Sequence, residues 1–135
     1  KDVSESEASA YVFGYTCVND VTALELIDAD PSFAQWTRAK GFDTFGAFGP
    51  VVATDLDADL LTIRTYLNGR ERQHYAVSDM FFGPAALVSE LSRNMTLEPG
   101  DVIACGTSLG VAPMKSGQTV DVTIDGIGTL SNRFV

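Results

Sequence analysis

An Asn-Gly dipeptide between two runs of alternating residues constrains the fold of this chain more than any other feature. In the run Leu61–Leu67, apolar and β-branched residues recur at every second position, which is the period of a strand with one buried face. Asn68–Gly69 suits the two-residue turn of a β-hairpin, because both central residues of that turn take positive φ angles. The sequence therefore predicts an antiparallel hairpin in which Leu61–Leu67 pairs with Arg70–Val77.

Short strand signals recur along the rest of the chain, whereas helix signals are fewer. Runs rich in β-branched and aromatic residues predict the other strands, which are Val12–Val18, Val51–Thr54, Val102–Cys105, Val120–Ile124 and Ile127–Val135. Capping boxes and a proline at a helix start predict the helices, which are Glu5–Tyr11, a short helix from Thr22 to Asp28, and Pro84–Asn94. Since strands predominate and no regular βαβ alternation occurs, we predict an α+β, mostly β class in a single domain over residues 1–135.

Charge and composition exclude several classes of function. The formal net charge is −9, and phosphate contacts need clustered Lys and Arg, so neither a nucleic acid nor an anionic membrane surface is an expected partner. No apolar run reaches the length of a transmembrane helix. Cys17 and Cys105 lie in apolar runs and predict two buried thiols, which fits a reducing compartment. The chain begins with Lys1, so we expect the native N-terminus to lie upstream.

A single lysine stands among aromatic residues in the stretch QWTRAKGFDTFGAFGP, residues Gln35–Pro50. Aromatic rings exclude water, and glycines allow a backbone to approach a ligand closely. Lys40 would be a fixed cation in such a place, with a pKa that its surroundings can move. The alternative is a structural lysine whose ammonium group reaches solvent from the edge of an aromatic core.

Polar residues at three places suggest a site for an acidic, oxygen-rich substrate. Asp20 follows a predicted strand, Lys40–Thr44 lies in the aromatic stretch, and Thr107 lies in the glycine-bracketed loop Gly106–Gly110. Asp20 could hold Mg²⁺, which would bind substrate oxygens and stabilise an enolate. Lys40 and Thr107 could then orient a carboxylate or a carbonyl group. One carboxylate is few for a metal site, so either the site holds no metal or some ligands lie elsewhere.

Two other polar features favour structural interpretations. Asp55, Asp57 and Asp59 have the alternate spacing of half a calcium loop, but the glycine and glutamate that an EF-hand needs are missing, so we interpret them as a solvated turn. His74 lies on the polar face of the predicted hairpin and is expected to be exposed rather than catalytic.

Six segments, in order along nearly the whole chain, closely resemble the fumarylacetoacetate hydrolase family. They are GYTCVNDVTALEL (Gly14–Leu26), QWTRAKGFDTFGAFGP (Gln35–Pro50), NGRERQ (Asn68–Gln73), SDMFF (Ser78–Phe82), MTLEPGDVIACGTSLGV (Met95–Val111) and IDGIGTLSNRFV (Ile124–Val135). The resemblance is to the later part of the C-terminal catalytic domain, a mixed β-sandwich or roll with short helices. Family members carry a Glu-x-Glu metal pair and a His/Glu helix before this part, so we expect a missing upstream segment and an open sheet edge where it would pair.

The resemblance also implies roles for individual residues. Asp20 matches the metal-binding aspartate of the family, Lys40 the active-site lysine, and Thr44 the threonine that closes its motif. Thr107 matches a substrate-binding threonine. The implied set is therefore Lys40 for catalysis, Lys40 with Thr107 for substrate binding, and Asp20, Lys40 and Thr44 at a Mg²⁺ site that could also take Mn²⁺ or Ca²⁺.

The implied function is a divalent-metal-dependent enzyme that acts on a small 2-oxo or 1,3-dicarbonyl acid through a metal-bound enolate, as a C–C hydrolase, decarboxylase, hydratase or isomerase. A cytoplasmic homodimer is also implied. Leu24 and Ile27 replace the usual arginine and glutamine, and Ser108 replaces a proline, which predicts a less polar pocket and a less rigid loop. A non-catalytic domain that binds a ligand or partner therefore remains the alternative.

Overall fold

A computed structural model describes all 135 residues and shows a mixed α/β architecture with two antiparallel sheets and few short helices, which confirms the predicted class. The strands are β1 (Tyr15–Asn19), β2 (Ala47–Ala53), β3 (Thr62–Leu67), β4 (Arg70–Ala76), β5 (Thr119–Ile124) and β6 (Gly128–Arg133). The α-helices are α1 (Leu24–Asp28), α2 (Trp36–Lys40) and α3 (Pro84–Asn94), and short 3₁₀ helices span Ala8–Tyr11, Ala58–Leu60 and Val77–Asp79.

The hairpin at Asn68–Gly69 forms as predicted and lies within a four-stranded sheet of order β4-β3-β5-β6. Asn68 and Gly69 take φ angles of 50° and 73°, as this turn requires. The turn also fixes the position of β5, because the Asn68 side-chain oxygen accepts a 2.8 Å hydrogen bond from the Thr119 backbone N–H. β1 and β2 form a separate two-stranded sheet.

The apolar core joins the two sheets. Cys17 on β1 belongs to one buried cluster with Val120, Val122 and Ile124 on β5 and with Leu130 on β6. The Cys17 thiol donates to the Gly128 carbonyl at 3.6 Å, and burial raises its pKa. Cys17 is therefore an inert core residue, as predicted.

Several predicted elements differ in extent from those observed. The helix predicted at Glu5–Tyr11 is reduced to a 3₁₀ turn over Ala8–Tyr11, because Ser4 bonds to the Glu7 side chain rather than to the backbone. β2 begins at Ala47, before the Gly49–Pro50 peptide bond, where the prediction began it at Val51. β2 accommodates Pro50 because it is an edge strand, and the backbone on the unpaired side of an edge strand needs no N–H donor.

The strand predicted over Val102–Cys105 is wrong. No strand of either sheet pairs with this segment, and an apolar run forms a strand only where a neighbour supplies the backbone hydrogen bonds. Cys105 is consequently exposed, so the prediction of two buried thiols holds for Cys17 alone. His74 is exposed as expected, and Asp57 accepts from the Asp59 N–H within an ordinary turn.

Both sheets are open, and β1 has a strand neighbour on one side only, so the structure has the open edge that was expected. Large apolar side chains are also exposed beyond the sheets, among them Phe13, Phe33, Phe81 and Leu109. No helix combines the length and apolar character that crossing a bilayer requires.

Two buried serines on α3 allow a matched test of one hydrogen bond. The Ser92 hydroxyl is fully buried, donates to the Ser89 carbonyl and accepts from the Val3 N–H, both at 2.9 Å. The buried Ser89 hydroxyl has no partner. Because Ser92→Ala leaves the Val3 N–H unpaired, we expect it to lower the unfolding free energy by about 1–3 kcal/mol, with Ser89→Ala near neutral. Urea unfolding of both variants measures this, and equal losses would contradict the assignment.

Candidate active site

Asp20 and Lys40 form an ion pair, although they are separated by 20 positions in the sequence. Asp20 directly follows β1, and Lys40 is the last residue of α2. The Lys40 ammonium group donates to Asp20 Oδ2 and also to Thr22 Oγ1, the latter at 3.1 Å. The two charged side chains are partly accessible, 35% for Lys40 and 45% for Asp20, so a ligand can reach them.

Local backbone packing holds this pair in place. The Ala23 N–H donates to the Ala39 carbonyl at 2.9 Å, which ties the segment after β1 to the end of α2. Ala39 is fully buried and anchors that turn of the helix. The Lys40 ammonium also lies 5.9 Å from the centre of the Trp36 ring, within the range of a cation–π contact. The Lys40 side chain is therefore positioned by three partners of different kinds, Asp20, Thr22 and Trp36, rather than simply extended into solvent.

A cavity of about 610 Å³ adjoins the ion pair. Asn19, Val21 and Gly41, the chain neighbours of the pair, contribute to its lining, as do Thr44 and Arg133. This volume is within the usual range for a small-molecule pocket. Asp20 and Lys40 are not themselves among the lining residues, so the cavity neighbours the pair through the residues next to them in the chain.

Thr44 lines this cavity with a strained backbone. Its φ angle is 69°, and a β-branched residue rarely adopts the left-handed region. Strain of this kind is concentrated at functional sites. The Phe42 and Phe45 rings pack against each other with centres 5.3 Å apart, and both line the same cavity.

The structure does not bring Thr107 to this pair. Its hydroxyl oxygen accepts a 2.8 Å hydrogen bond from Gln73, and it makes no hydrogen bond to Asp20, Lys40 or Thr44. It does not line the 610 Å³ cavity either. The structure thus brings together Asp20 and Lys40 but not Thr107, whose role in substrate binding stays a prediction.

The donor atoms fit a divalent cation only in part. No three His, Cys, Asp or Glu side chains are grouped as a metal site. Asp20 uses Oδ2 for Lys40 and has no hydrogen bond at Oδ1, so this oxygen could ligate. A protonated lysine has no lone pair for a cation, so Lys40 could act at a metal only through its pairing with Asp20. Asp20 therefore fits as one ligand of a set that needs further oxygen donors.

Sequence reasoning missed the contacts of Thr22, Gln73 and Asn132. Thr22 was assigned to a capping box, but α1 begins at Leu24 and the Thr22 hydroxyl contacts Asp20 and Lys40 instead. Asn132 is among the residues that line the cavity, and its side-chain oxygen is buried without a hydrogen-bond partner. The only sequence signal for Thr22 was its position two residues after Asp20, and no local pattern marks the other two.

Comparison with known proteins agrees with the sequence resemblance. Residues 1–135 match the family model described as fumarylacetoacetate (FAA) hydrolase C-terminal. Among curated proteins, oxaloacetate tautomerase YisK of Bacillus subtilis is 40% identical over 142 residues, which cover 98% of this chain and 46% of that protein.

Solved structures share the fold closely. The 5-carboxymethyl-2-hydroxymuconate delta-isomerase from Mycobacterium smegmatis superposes with a TM-score of 0.95 at 45% identity, covering all of this chain and 53% of the other. The fumarylpyruvate hydrolase from Pseudomonas aeruginosa, solved with Mn²⁺ and pyruvate, has a TM-score of 0.92 at 31% identity, with 99% and 59% covered. The chain thus spans about half the length of the proteins that it matches.

Proposed function

We propose, from the premise that this chain belongs to the fumarylacetoacetate hydrolase family, that Asp20, Lys40 and Thr44 are part of an active site for small 2-oxo or 1,3-dicarbonyl acids. The observation that carries the proposal is the Asp20–Lys40 ion pair beside a cavity of about 610 Å³. It sets a potential metal-binding carboxylate next to a fixed cation, as an acid with two adjacent oxygen groups would require.

The enzyme we propose depends on a divalent metal, Mg²⁺ or otherwise Mn²⁺ or Ca²⁺. When bound, the cation supplies a Lewis acid that polarises a carbonyl group. Asp20 would hold it through the oxygen that Lys40 does not use, together with further oxygen ligands that the described cluster lacks. A similar protein supports this choice, because the fumarylpyruvate hydrolase from Pseudomonas aeruginosa was solved in complex with Mn²⁺ and pyruvate.

The protein groups around the cavity have distinct tasks in this proposal. The Lys40 ammonium donates hydrogen bonds to the substrate carboxylate or to the oxygen on which negative charge develops. Thr44 and Arg133, which are among the residues that line the cavity, could add a hydroxyl donor and a second positive charge. Phe42 and Phe45 line one wall and exclude water, which strengthens these electrostatic contacts.

The reaction falls within a narrow chemical class. Hydrolysis, decarboxylation, hydration and isomerisation of such acids all need negative charge stabilised beside a carbonyl group. Named relatives include a tautomerase, an isomerase and a hydrolase, which differ in the proton or bond that is moved. We propose in addition that the whole protein works as a cytoplasmic homodimer with a small 2-oxo acid as its ligand.

Binding of metal and ligand tests the proposal directly. We expect Mg²⁺ or Mn²⁺ with oxalate, at about 100 times the dissociation constant, to stabilise the full-length protein by about 2.7 kcal/mol, seen as a higher thermal midpoint. Asp20→Asn should abolish this stabilisation because the amide removes the charge that holds the cation. Asp125→Asn is the matched control, since Asp125 pairs with Arg64 at another place.

The outcomes separate an enzyme from a binding domain. No stabilisation of the wild type by either metal with oxalate would overturn the proposal. Stabilisation without turnover of oxaloacetate or acylpyruvates would favour a non-catalytic binding domain. The reason to test this alternative is Leu24, which is exposed and replaces an arginine that the family usually has at this position.

A further inference from the structure

A side-chain clamp fastens the loop Cys105–Gly110 to the edge strand β4. The Gln73 side chain is 8% exposed, and its amide nitrogen donates to Thr107 Oγ1 and to the Ser108 carbonyl, both at 2.8 Å. These bonds take the place of the strand pairing that the sequence predicted for the preceding residues. The replacement of proline by Ser108 therefore does not leave the loop unsupported.

Chemistry fixes the orientation of the Gln73 amide. The Ser108 backbone carbonyl can only accept a hydrogen bond, so the amide nitrogen, rather than the oxygen, must face it. The same nitrogen reaches Thr107, whose oxygen is consequently the acceptor. Both amide hydrogens are used, and the hydroxyl proton of Thr107 remains free to point elsewhere.

The backbone of β4 reinforces the clamp. Gln73 pairs with Thr65 inside the four-stranded sheet, so its main chain is fixed by its neighbour. Gly110 lies so close to the Arg72 carbonyl that a Cβ atom there would stand 2.1 Å from the carbonyl oxygen. The loop therefore contacts β4 at both of these places, while Thr107 itself is exposed.

We infer that Gln73 is a positioning residue that holds Thr107 with its hydroxyl proton free to donate to an acceptor oxygen of the ligand. The inference rests on the proposed function, and it adds to that function the substrate contact that the family resemblance implies for Thr107. A carboxylate or keto oxygen of a 2-oxo acid is an acceptor of the required kind. Gln73 acts through Thr107 and does not itself touch the ligand.

The clamp can be tested without any ligand. Gln73→Met keeps the size of the side chain but removes both donors, so chymotrypsin should cleave the loop Cys105–Gly110 at the exposed Leu109 about tenfold faster than in the wild type. Gln118→Met is the matched control, because the Gln118 side chain accepts from the Lys115 N–H in a different turn. An unchanged rate of cleavage at Leu109 in the Gln73→Met protein would overturn the inference at this step.

A double-mutant cycle on oxalate binding tests the link between the two residues. With Mg²⁺ present and the full-length protein in a calorimeter, Thr107→Val should weaken oxalate affinity about tenfold and Gln73→Met about fivefold. Because Gln73 acts through Thr107, the double variant should be no weaker than Thr107→Val alone. Thr107→Ser retains the hydroxyl and should bind like the wild type.

Each result has a separate meaning. If the two single effects multiply to about fiftyfold in the double variant, Gln73 acts independently and the inference fails while the proposed function stands. If the wild type binds no oxalate, the proposed function fails and the positioning role falls with it, although faster cleavage of the loop in Gln73→Met would still establish the clamp. If Thr107→Val binds normally, Thr107 is not a ligand contact, and the inference fails.

Discussion

Replacing Lys40 with methionine is expected to lower kcat/KM for a 2-oxo acid such as oxaloacetate by about 100-fold to 1,000-fold, which is the usual loss when one positioned donor to a developing oxyanion is removed. Methionine retains an unbranched, flexible side chain of similar length and removes the charge. Asp20 then loses its ion-pair partner, and the substrate loses the ammonium group.

Stability should change little in the same variant. The Asp20–Lys40 pair is 45% and 35% accessible, and exposed ion pairs of this kind contribute less than about 1 kcal/mol to unfolding free energy. The pair therefore adds little to the unfolding free energy, which leaves a functional role as the better explanation for its fixed position. A large loss of activity with an almost unchanged thermal midpoint is the signature we expect.

Arg64 offers a matched control for this experiment. It forms an ion pair with Asp125 at 2.9 Å, with side chains 28% and 68% accessible, away from the cavity. Arg64→Met should leave both activity and stability close to those of the wild type. If Lys40→Met and Arg64→Met have equal effects on kcat/KM, the ion pair at Asp20 has no special role.

Local patterns predicted those elements whose cause is local. The hairpin at Asn68–Gly69 and the helix Pro84–Asn94 formed as expected, since a turn dipeptide and a proline at the first helical position act within a few residues. β5 followed from strict alternation of Val120, Val122 and Ile124. These elements place the core, and the core fixes where β1 and Asp20 can lie.

Features that depend on tertiary contacts were not visible in the sequence. The apolar run Val102–Cys105 has the residue pattern of a strand, but no strand pairs with it. The loop that follows it is instead bonded to the Gln73 side chain on the edge strand β4. Helix α2, which carries Lys40, shows no cap signal and is tied to the segment after β1 by the Ala23–Ala39 bond. Periodicity did not predict that Asp20 and Lys40 would meet; their positions after a predicted strand and in a glycine-containing aromatic stretch suggested a shared site, and the resemblance to a family implied it as well.

A second large effect is expected at Gly110, where alanine should destabilise the protein by about 3 kcal/mol or more. Two costs combine at this position. The φ angle of +106° is one that residues with a Cβ atom rarely adopt, and the added Cβ would stand 2.1 Å from the Arg72 carbonyl oxygen and 3.1 Å from Gln73 Cγ. The contacted oxygen belongs to the backbone of β4, and although Arg72 itself lies at a bulge, its neighbours Glu71 and Gln73 both pair with β3, so this oxygen moves aside less easily than a flexible side chain would.

Gly106 separates the two costs, because it belongs to the same loop and has a similar φ angle of +97°, yet a Cβ there meets nothing within 4 Å. Gly106→Ala should therefore show only the backbone strain, about 1–2 kcal/mol. The difference between the two variants in urea unfolding of the full-length protein measures the contact with β4. Equal destabilisation would mean that the loop leaves β4 at little cost, and the close approach at Arg72 would then contribute nothing to the fold.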